Sequence, residues 1–465
     1  MQTRLVDRQA ELQFLEQQWR GRRSQLITVY GRRRVGKTEI LKQFHANKRG
    51  VYYLADRRPE RDQLRQVAER LGRFFEDDFV ARKGFDDWVE AFEYVSSRVK
   101  KRFLWIIDEF PYLVDGNPAT SSLFQKGWDE YLRDTPVFLV LCGSSITMME
   151  SEVLGQKAPL FGRRTGDLLV HPMPLDELRG FFPGRSYSQL VEIYAAVGGM
   201  PAYLLELEPK APLERNVEKH VLRRGSFLFR EVDFLLREEL REPRNYLAIL
   251  HALALGRRKF GDIINHTGLE KNVLYKYLQV LGDLRIVSRE VSVTEPRPER
   301  SKRSLYKIDD PFTAFWMEYV YPFRSDLELG NTEPSLEHFR KSFFRNVSMA
   351  YETAARELLR TSAALPFPLR RLGRWWLRDE EIDLVGTNDE RNAILFAEVK
   401  WSNKALGSNV YRALVEKSRK VEWGSDLRRE AYALFSKSGF TAEMKRIAEN
   451  DGVLLFHQDR LVGKS

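Results

Sequence analysis

The sequence predicts an α/β fold of several domains, the first of them built around a parallel sheet. Its 465 residues are 43% hydrophobic, which is enough to bury sizeable cores, and a chain of this length suggests about three domains. Short apolar runs that end in glycine or carboxylate residues alternate with helical patterns through about residue 208. This alternation is typical of buried parallel strands that are joined by helices.

The charge and the cysteine usage limit the class of protein. With 76 Lys plus Arg and 66 Asp plus Glu, the formal net charge is +10, which favours a polyanionic partner, although a general solubility feature would produce the same excess. The single Cys142 cannot form an internal disulfide. The N-terminal residues lead into an amphipathic helix pattern over 7–19, and no apolar run approaches the length of a membrane span. We therefore expect a cytoplasmic protein with no membrane partner.

A phosphate-binding loop of the Walker A type lies between the apolar run Leu26–Tyr30 and a helical pattern over 39–44. Gly31 and Gly36 permit tight turns, so that backbone N–H groups can face phosphate oxygens. Lys37 would reach the β- and γ-phosphates, and the Thr38 hydroxyl would ligate Mg²⁺. A structural glycine-rich turn is the alternative, but the strand before and the helix after favour ATP or GTP. The loop consists of Gly31, Arg32, Arg33, Arg34, Val35, Gly36, Lys37 and Thr38.

An apolar run at 103–107 ends in two carboxylates, Asp108 and Glu109. The carboxyl ends of parallel strands line the ligand crevice of such folds. Asp108 would therefore hold Mg²⁺, and Glu109 would orient and deprotonate the attacking water. A solvated strand end is the alternative, which the preceding phosphate loop makes less favourable.

Two further segments carry groups that could act on a nucleotide. The apolar run 137–141 is followed by the pair Ser144-Ser145. Ser144 could sense a γ-phosphate or the attacking water. The equally open alternative is that these hydroxyls form the N-cap of a helix over 146–150. Arg163 and Arg164 precede a strand pattern at 167–170. Either arginine could stabilise transition-state charge, in cis or on a neighbouring subunit, unless both are ordinary surface residues.

Taken in order, the loop, the Asp108-Glu109 pair and three short motifs resemble an AAA+- and STAND-related ATPase family that is predominant in archaea. The three motifs are Gly-Ser-Ser at 143–145, Gly-Arg-Arg at 162–164 and Gly-Gly-Met-Pro at 198–201. The resemblance covers roughly the first 205 residues, within a predicted ATPase domain of 1–208 that includes the start of the lid. It implies a core of five parallel strands with helices on both faces, ATP as the nucleotide, Ser144 as sensor and Arg163 or Arg164 as arginine finger. It also implies that a helical lid begins at Gly199–Pro201. The finger position predicts an ATP-dependent homo-oligomer.

The middle region, 209–328, has the pattern of the rest of the lid followed by a winged helix. Helical patterns at 244–255, 260–267 and 271–281 precede strand patterns at 286–293 and 304–308, which flank a tip rich in arginine, lysine and proline. The helix 271–281 would be the recognition helix, and the tip would be the wing. We expect DNA as partner; an interdomain or protein-binding module is the alternative. The expected reading face consists of Lys271, Asn272, Tyr275, Lys276 and Tyr277.

The C-terminal region, 336–465, contains a predicted hairpin formed by 376–386 and 393–401. Asp383 lies near the end of the first strand, while Glu398 and Lys400 are two residues apart and so share one face of the second. Carboxylates brought together in this way can bind Mg²⁺ or Mn²⁺, and Lys400 could position or activate a hydrolytic water. Glu352, on an upstream amphipathic helix pattern, is a fourth candidate.

This hairpin with its helix resembles the PD-(D/E)XK nuclease superfamily, which implies a restriction-endonuclease-like α/β domain. Asp383, Glu398 and Lys400 match the acidic, acidic and basic positions, whereas Ile382 replaces the proline of the motif. Two functions are consistent with these features. The first is an ATPase coupled to a DNA-directed, metal-dependent nuclease, and the second is an ATP-switched regulatory or DNA-binding protein with a non-cleaving nuclease relic. Four arginines near the hairpin could contact phosphates or form a solvated face: Arg370, Arg371, Arg374 and Arg378.

Overall fold

The computed structural model describes residues 8–21, 23–240, 242–425 and 427–462. The chain forms two compact units. The first consists of Met1–Pro172 with Met200–Ala202, and the second of Met173–Gly199 with Tyr203–Ser465. Within the described ranges, no helix is both long and apolar enough to span a membrane.

The first unit contains the predicted parallel sheet. In its described residues five strands lie in the order β2-β3-β4-β1-β5, and every recorded pairing is parallel. β3 and β4 are buried along their whole length, so both faces of the sheet are covered. The prediction of a five-stranded parallel core is therefore confirmed. The strands are β1 (Gln25–Tyr30), β2 (Gly50–Leu54), β3 (Phe103–Asp108), β4 (Val137–Gly143) and β5 (Gly166–Leu169).

Helices connect these strands and supply aromatic side chains to the core. Phe92 on α5 contacts the rings of Trp105 on β3 and Phe124 on α7, with centroid distances of 5.3 and 4.9 Å. A Cβ on Gly127 would lie 2.1 Å from the Phe92 ring, so this position requires glycine. The helices of this unit are α1 (Gln9–Trp19), α2 (Lys37–His45), α3 (Glu60–Phe75), α4 (Asp78–Lys83), α5 (Trp88–Arg98), α6 (Phe110–Gly116), α7 (Thr120–Gly127) and α8 (Ile146–Met149).

The first helices of the second unit flank the Gly-Gly-Met-Pro motif at 198–201. Gly199 lies against Met173, whose N–H donates to the Gly199 carbonyl over 2.8 Å; a Cβ there would lie 1.8 Å from the Met173 oxygen. The buried indole of Trp316 donates to the Phe229 carbonyl over 2.8 Å and so ties the helix Pro311–Tyr319 to the 3-10 turn Phe227–Arg230. The helices here are α9 (Tyr187–Val197), α10 (Pro201–Leu204), α11 (Leu213–Val217) and α12 (Glu231–Glu239), of which α10 begins in the first unit.

Three helices and a short hairpin follow. α13 (Pro243–Ala254) packs against α14 (Phe260–Thr267), and α15 (Lys271–Asp283) packs against β6 (Val287–Glu290). β6 pairs antiparallel with β7 (Leu305–Ile308), and Lys259 forms a further bridge to Leu305. The two strands are shorter than the sequence pattern predicted, because residues 291–304 leave the ladder in a long tip.

Four helices connect this hairpin to the C-terminal sheet, and α19 packs against α9 and α16 as well as against the sheet. They are α16 (Pro311–Tyr319), α17 (Arg324–Glu328), α18 (Glu333–Ser342) and α19 (Phe344–Thr361).

The C-terminal sheet has six strands among its described residues, in the order β13-β12-β11-β10-β9-β8. β9 is antiparallel to β8 and β10, whereas β10, β11 and β12 run parallel. The sequence pattern placed 376–386 in a single strand; this is wrong, because Arg378, with a φ of 54°, begins a tight turn that separates β8 from β9. The strands and their helices are β8 (Arg371–Leu377), β9 (Glu380–Thr387), β10 (Ala393–Lys400), α20 (Ser408–Ser418), β11 (Arg429–Ser436), α21 (Ala442–Asp451), β12 (Leu454–His457) and β13 (Arg460–Val462).

Candidate functional site

The phosphate loop joins β1 to α2 in the predicted strand–loop–helix arrangement. Gly31 has a φ of 149°, and a Cβ there would lie 2.4 Å from the Val170 oxygen. Gly36 has a φ of 99° and precedes the first residue of α2. A residue with a side chain would be strained at both positions, because the backbone conformation or the available space suits only glycine. α2 begins at Lys37. The N–H groups of a helix's first turn have no partner within the helix, so they are available to donate to a bound phosphate.

The side chain of Lys37 lies along the loop itself. Its Nζ donates to the carbonyl oxygens of Gly31 and Arg32 over 2.8 and 3.0 Å, and the residue is only 4% exposed. Arg8 supports the loop from outside by donating to the Val35 carbonyl over 2.8 Å. Among the other loop residues, Arg32 and Val35 are buried, Arg33 is exposed and Arg34 is half-buried with a φ of 70°. The ammonium group is therefore held beside the helix N-terminus.

Asp108 is fully buried and accepts three hydrogen bonds. Its Oδ2 accepts from the Thr38 hydroxyl over 2.8 Å and from the Tyr52 hydroxyl, and its Oδ1 accepts from the Glu109 N–H over 3.0 Å. Thr38 and Asp108, the two predicted Mg²⁺ ligands of this unit, are thus in direct contact. An oxygen pair of this kind at the helix N-terminus fits the donor set that Mg²⁺ takes beside bound phosphates.

Tyr52 is a site residue that the sequence analysis missed. It lies on β2, where the register pairs it with Ile106 of β3, two residues before Asp108. Burial and the Asp108 charge raise the pKa of the Tyr52 hydroxyl well above its ordinary value, so the group stays a protonated donor. In the sequence Tyr52 belongs to an unremarkable strand pattern, and only the parallel pairing of β2 with β3 brings it to the carboxylate.

Glu109 and Ser144 are paired across neighbouring strand ends. The Ser144 hydroxyl donates to Glu109 Oε1 over 2.5 Å, and its N–H donates to Oε2 over 3.3 Å. The helix N-cap considered for this serine pair belongs to Ser145, whose hydroxyl accepts from the Met148 N–H over 3.4 Å. The two serines therefore have separate roles, and Ser144 orients the carboxylate that the sequence predicts as the base.

Both candidate finger arginines are engaged within the first unit. Arg163 donates to Asp129 over 3.0 and 3.1 Å and to the carbonyls of Pro159 and Phe161 over 3.3 and 3.2 Å. Among the described residues, Arg164 has one recorded ion pair, a longer one of 3.6 Å with Asp167. Arg164 is thus the less tightly held of the two.

In the second unit, strand pairing brings Asp383 and Glu398 together. The antiparallel pairing of β9 with β10 extends as far as Leu384 and Ala397, and Asp383 and Glu398 are the next residues along their strands. Lys400 lies between them, with its Nζ 2.7 Å from Glu398 Oε1 and 3.5 Å from Asp383 Oδ2. Burial opposes the charged form of Lys400, but the two carboxylates outweigh it and raise its pKa.

The cluster contains a second lysine that the sequence analysis did not identify. Lys417 on α20 lies 3.3 Å from Glu398 Oε1, and its helical position gave no signal because the contact arises only when α20 packs on β10. Asp383 Oδ2 also accepts from the Val399 N–H over 2.8 Å. The other oxygen of Glu398, Oε2, is buried and has no hydrogen-bond partner among the described residues.

Glu352 lies near this cluster but is paired with Arg374 of β8, which is also 3.4 Å from Glu381. Burial, with the Asp383 charge, raises the pKa of Glu352. Among the described residues, no three His, Cys, Asp or Glu side chains converge closely enough to hold a metal ion. The roles of Glu352, Asp383 and Glu398 as metal ligands accordingly stay predictions.

Comparison with known proteins identifies the family. Residues 5–207 match an ATPase domain predominantly from Archaea, and residues 316–415 match archaeal and bacterial proteins of unknown function. An uncharacterized protein of Methanocaldococcus jannaschii is 36% identical over 456 residues, which cover 97% of this chain and 98% of that protein. The chain belongs to this archaeal-type ATPase family. An ATP-binding protein of the same organism is 52% identical over 44 residues, 10% of this chain and 75% of that protein.

Solved structures are similar at a lower level. The Walker-type ATPase PABY2304 of Pyrococcus abyssi has a TM-score of 0.47 and 22% identity, covering 67% of this ATPase and 96% of that chain. The ORC2 protein of Aeropyrum pernix, in ADPNP and ADP complexes, has a TM-score of 0.43 and 12% identity, covering 73% and 96% of the two chains.

The contact of Tyr52 with Asp108 makes a prediction about the ATPase site. Tyr52→Phe removes one charge-assisted hydrogen bond from a buried carboxylate, which should lower the free energy of unfolding by about 1.5–3 kcal/mol. With Asp108 less firmly oriented, half-maximal ATP turnover should require more Mg²⁺, while the affinity for ATP changes little. Magnesium titrations of ATP turnover and urea unfolding measure the two effects.

Tyr53→Phe is the matched control. Tyr53 is the neighbouring strand residue, and its hydroxyl donates to Gln63, so this variant should lose a neutral hydrogen bond and keep the wild-type dependence on Mg²⁺. Wild-type dependence in Tyr52→Phe as well would contradict a positioning role.

Proposed function

We propose that this ATPase binds and hydrolyses ATP with Mg²⁺ and couples the nucleotide cycle to a DNA-directed, metal-dependent nuclease domain. One observation supports the first part above all. The loop after β1, the carboxylates after β3 and Ser144 after β4 meet at the carboxyl ends of adjacent strands, joined by the hydrogen bonds from Thr38 to Asp108 and from Ser144 to Glu109. Ligand sites of parallel α/β sheets lie at this edge.

Each residue of this cluster has a distinct role in the proposal. The N–H groups around Gly36 and the Lys37 ammonium bind the phosphates, and Thr38 with Asp108 holds Mg²⁺, which supplies charge neutralisation at the phosphates. Glu109 accepts the proton of the attacking water through the carboxylate that Ser144 orients. Ser144 donates to both oxygens of Glu109. For the reaction, the attacking water must either bond to Glu109 beside Ser144 or replace one of these two hydrogen bonds.

Two variants separate ATP binding from hydrolysis. Lys37→Ala should abolish ATP binding, because it removes the ammonium charge beside the helix N-terminus. Glu109→Gln should keep ATP bound and lose turnover by roughly 10²–10⁴-fold, because the amide cannot accept a proton. Calorimetric ATP binding and phosphate release measure the two properties.

Lys42→Ala serves as control, since Lys42 is an exposed residue of the same helix and forms an ion pair with Glu39 over 3.1 Å. Unchanged turnover in Glu109→Gln would refute the assignment of Glu109 as base.

We also propose that ATP drives homo-oligomer formation, with Arg163 or Arg164 acting on a neighbouring subunit's nucleotide. Mixing Lys37→Ala subunits with subunits that carry Arg163→Ala or Arg164→Ala should then restore some turnover, because one mixed interface contains both an intact loop and an intact arginine. Specific activity should also rise with protein concentration. Turnover that is independent of concentration in a strictly monomeric protein would exclude this arrangement.

The second unit supports the nuclease part of the proposal. We assign α13–α15 with β6 and β7 as a winged helix, and the six-stranded sheet with α19 as a nuclease-like domain of the PD-(D/E)XK type. In this assignment Asp383 and Glu398 hold Mg²⁺ or Mn²⁺, and the protonated Lys400 stabilises charge on the scissile phosphate. Among the described residues Oε2 of Glu398 has no hydrogen-bond partner, and this supports a cation-binding role, since a buried carboxylate oxygen ordinarily has a partner.

Substitutions at the cluster test the C-terminal chemistry. Lys400→Ala should abolish cleavage while nucleic-acid binding is largely kept, and Asp383→Ala should also abolish binding of Mn²⁺. The measurements are nuclease assays with Mg²⁺ or Mn²⁺, with and without ATP, and calorimetry with Mn²⁺. Lys404→Ala, which removes an exposed lysine just after β10, is the control and should behave as wild type.

A second candidate function is an ATP-switched regulatory or DNA-binding protein whose C-terminal domain does not cleave. The observation that favours it is that the protein's own cations already pair with the acidic cluster: Arg374 pairs with Glu352, and both Lys400 and Lys417 pair with Glu398 Oε1. Wild type that neither binds Mn²⁺ nor cleaves DNA or RNA under these conditions would establish this alternative.

A further inference from the structure

The long tip between β6 and β7 is bonded to the edge strand of the C-terminal sheet. The Val293 N–H donates to the Arg374 carbonyl over 3.0 Å, and Arg371 Nη1 donates to the Glu295 carbonyl over 3.0 Å. The Val293 side chain is 7% exposed and belongs to the same apolar core as Trp375 and Ile382. The tip is therefore a fixed part of the C-terminal domain's surface.

The tip is also bonded to β6, a strand of its own hairpin. Arg289 on β6 donates to the carbonyls of Pro298 and Ser301 over 2.9 and 2.8 Å. These bonds, together with those from Arg371, hold both ends of the 295–301 segment. A segment ordered in this way loses less conformational entropy when a ligand binds it.

Exposed basic side chains continue from the tip onto the sheet. A cavity of about 240 Å³ is lined by Pro296 of the tip and by Arg370, Arg371, Arg391 and Trp423 of the C-terminal domain. Arg370 and Arg371 also line a second cavity of about 670 Å³, to which Arg360 contributes. The exposed bases of the tip itself are Arg297, Arg300, Lys302 and Arg303.

Positive charge predominates along this path. Exposed acidic residues on or beside it are Glu299 in the tip, Asp379 and Glu381 at the turn from β8 to β9, and Asp389 with Glu390 in the turn before β10. Of these, Asp389 is paired with Arg370. The Arg391 guanidinium lies 5.9 Å from the centre of the Trp423 ring, so one wall of the smaller cavity combines a cation with an aromatic face. This combination suits a sugar-phosphate backbone, which carries one charge for each phosphate.

We propose that the tip and the β8 edge of the C-terminal sheet form one continuous surface that binds the phosphodiester backbone of a nucleic acid. The proposal rests on the proposed function for the choice of polymer, but it requires no cleavage. In this arrangement the winged helix does not bind DNA as a separate module. It shares each bound molecule with the domain that contains Asp383, Glu398 and Lys400.

Three double variants test this surface by fluorescence anisotropy with a labelled DNA duplex and its single strand. The tip variant is Arg297→Gln with Arg300→Gln. The sheet variant is Arg370→Gln with Arg391→Asn, in which asparagine tolerates the φ of 56° at position 391. The control, Lys445→Gln with Arg446→Gln, removes two exposed charges from α21, whose strands β11 and β12 lie away from the β8 edge.

Tip and sheet variants should both bind the same DNA more weakly, and the slope of log K against log salt should fall by about 1 for each arginine that contacts a phosphate. Combining them should lower the slope by the sum of the two changes, whereas the control keeps the wild-type slope. A sheet variant that binds both DNAs like wild type, or a combined variant no weaker than the tip variant, would overturn the proposal. Thermal unfolding checks that each variant is folded.

The outcome is distinct from that of the nuclease proposal. Anisotropy measured without Mg²⁺ or Mn²⁺ reports binding in the absence of cleavage, so the tip and sheet variants should lower the salt slope even if wild type never cleaves. Comparing the affinities for the duplex and for the single strand shows which form of DNA this surface binds.

Discussion

The buried carboxylate of Asp108 is the constraint on which the nucleotide unit depends. A charge that is removed from water is tolerated only when hydrogen bonds replace its hydration, and here Thr38, Tyr52 and the Glu109 N–H supply them. These donors come from α2, β2 and the turn after β3. One side chain therefore bonds to three elements around the phosphate loop and links their positions.

The C-terminal cluster is balanced in a different way. The Asp383 charge helps to raise the pKa of Glu352, and positively charged side chains from three elements pair with the carboxylates: Lys400 from β10, Lys417 from α20 and Arg374 from β8. A divalent cation that enters must compete with these internal cations. Metal affinity in this domain is thus set as much by the lysines and the arginine as by the carboxylates that would ligate the ion.

Arg374 connects this cluster to the hairpin of the middle region. Its side chain pairs with Glu352, and its carbonyl accepts the Val293 N–H. Burial opposes its charged form, but Glu352, Glu290 and Glu381 outweigh burial and raise the pKa of Arg374. Glu290 lies on β6 and pairs with Arg258 and Lys307 over 2.6 and 2.9 Å. A displacement of the hairpin would therefore change the electrostatic surroundings of the acidic cluster, which gives the two parts of this unit a physical means of coupling.

The sequence by itself determined the features that depend on local chemistry. The strand–loop–helix order, the need for Gly31 and Gly36, the all-parallel core and the acidic strand end at Asp108 follow from residue types and short spacings, because phosphate binding needs bare backbone at fixed positions. Only the tertiary structure decided the contacts between distant segments: Tyr52 at Asp108, the separate roles of Ser144 and Ser145, Lys417 at Glu398, the pairing of Glu352 with Arg374, and the tip bonded to β8. The sequence pattern also failed to predict the turn at Arg378, because the turn contains neither glycine nor proline. Strand pairing and helix packing bring these groups together across long sequence separations, and no local pattern encodes such distances.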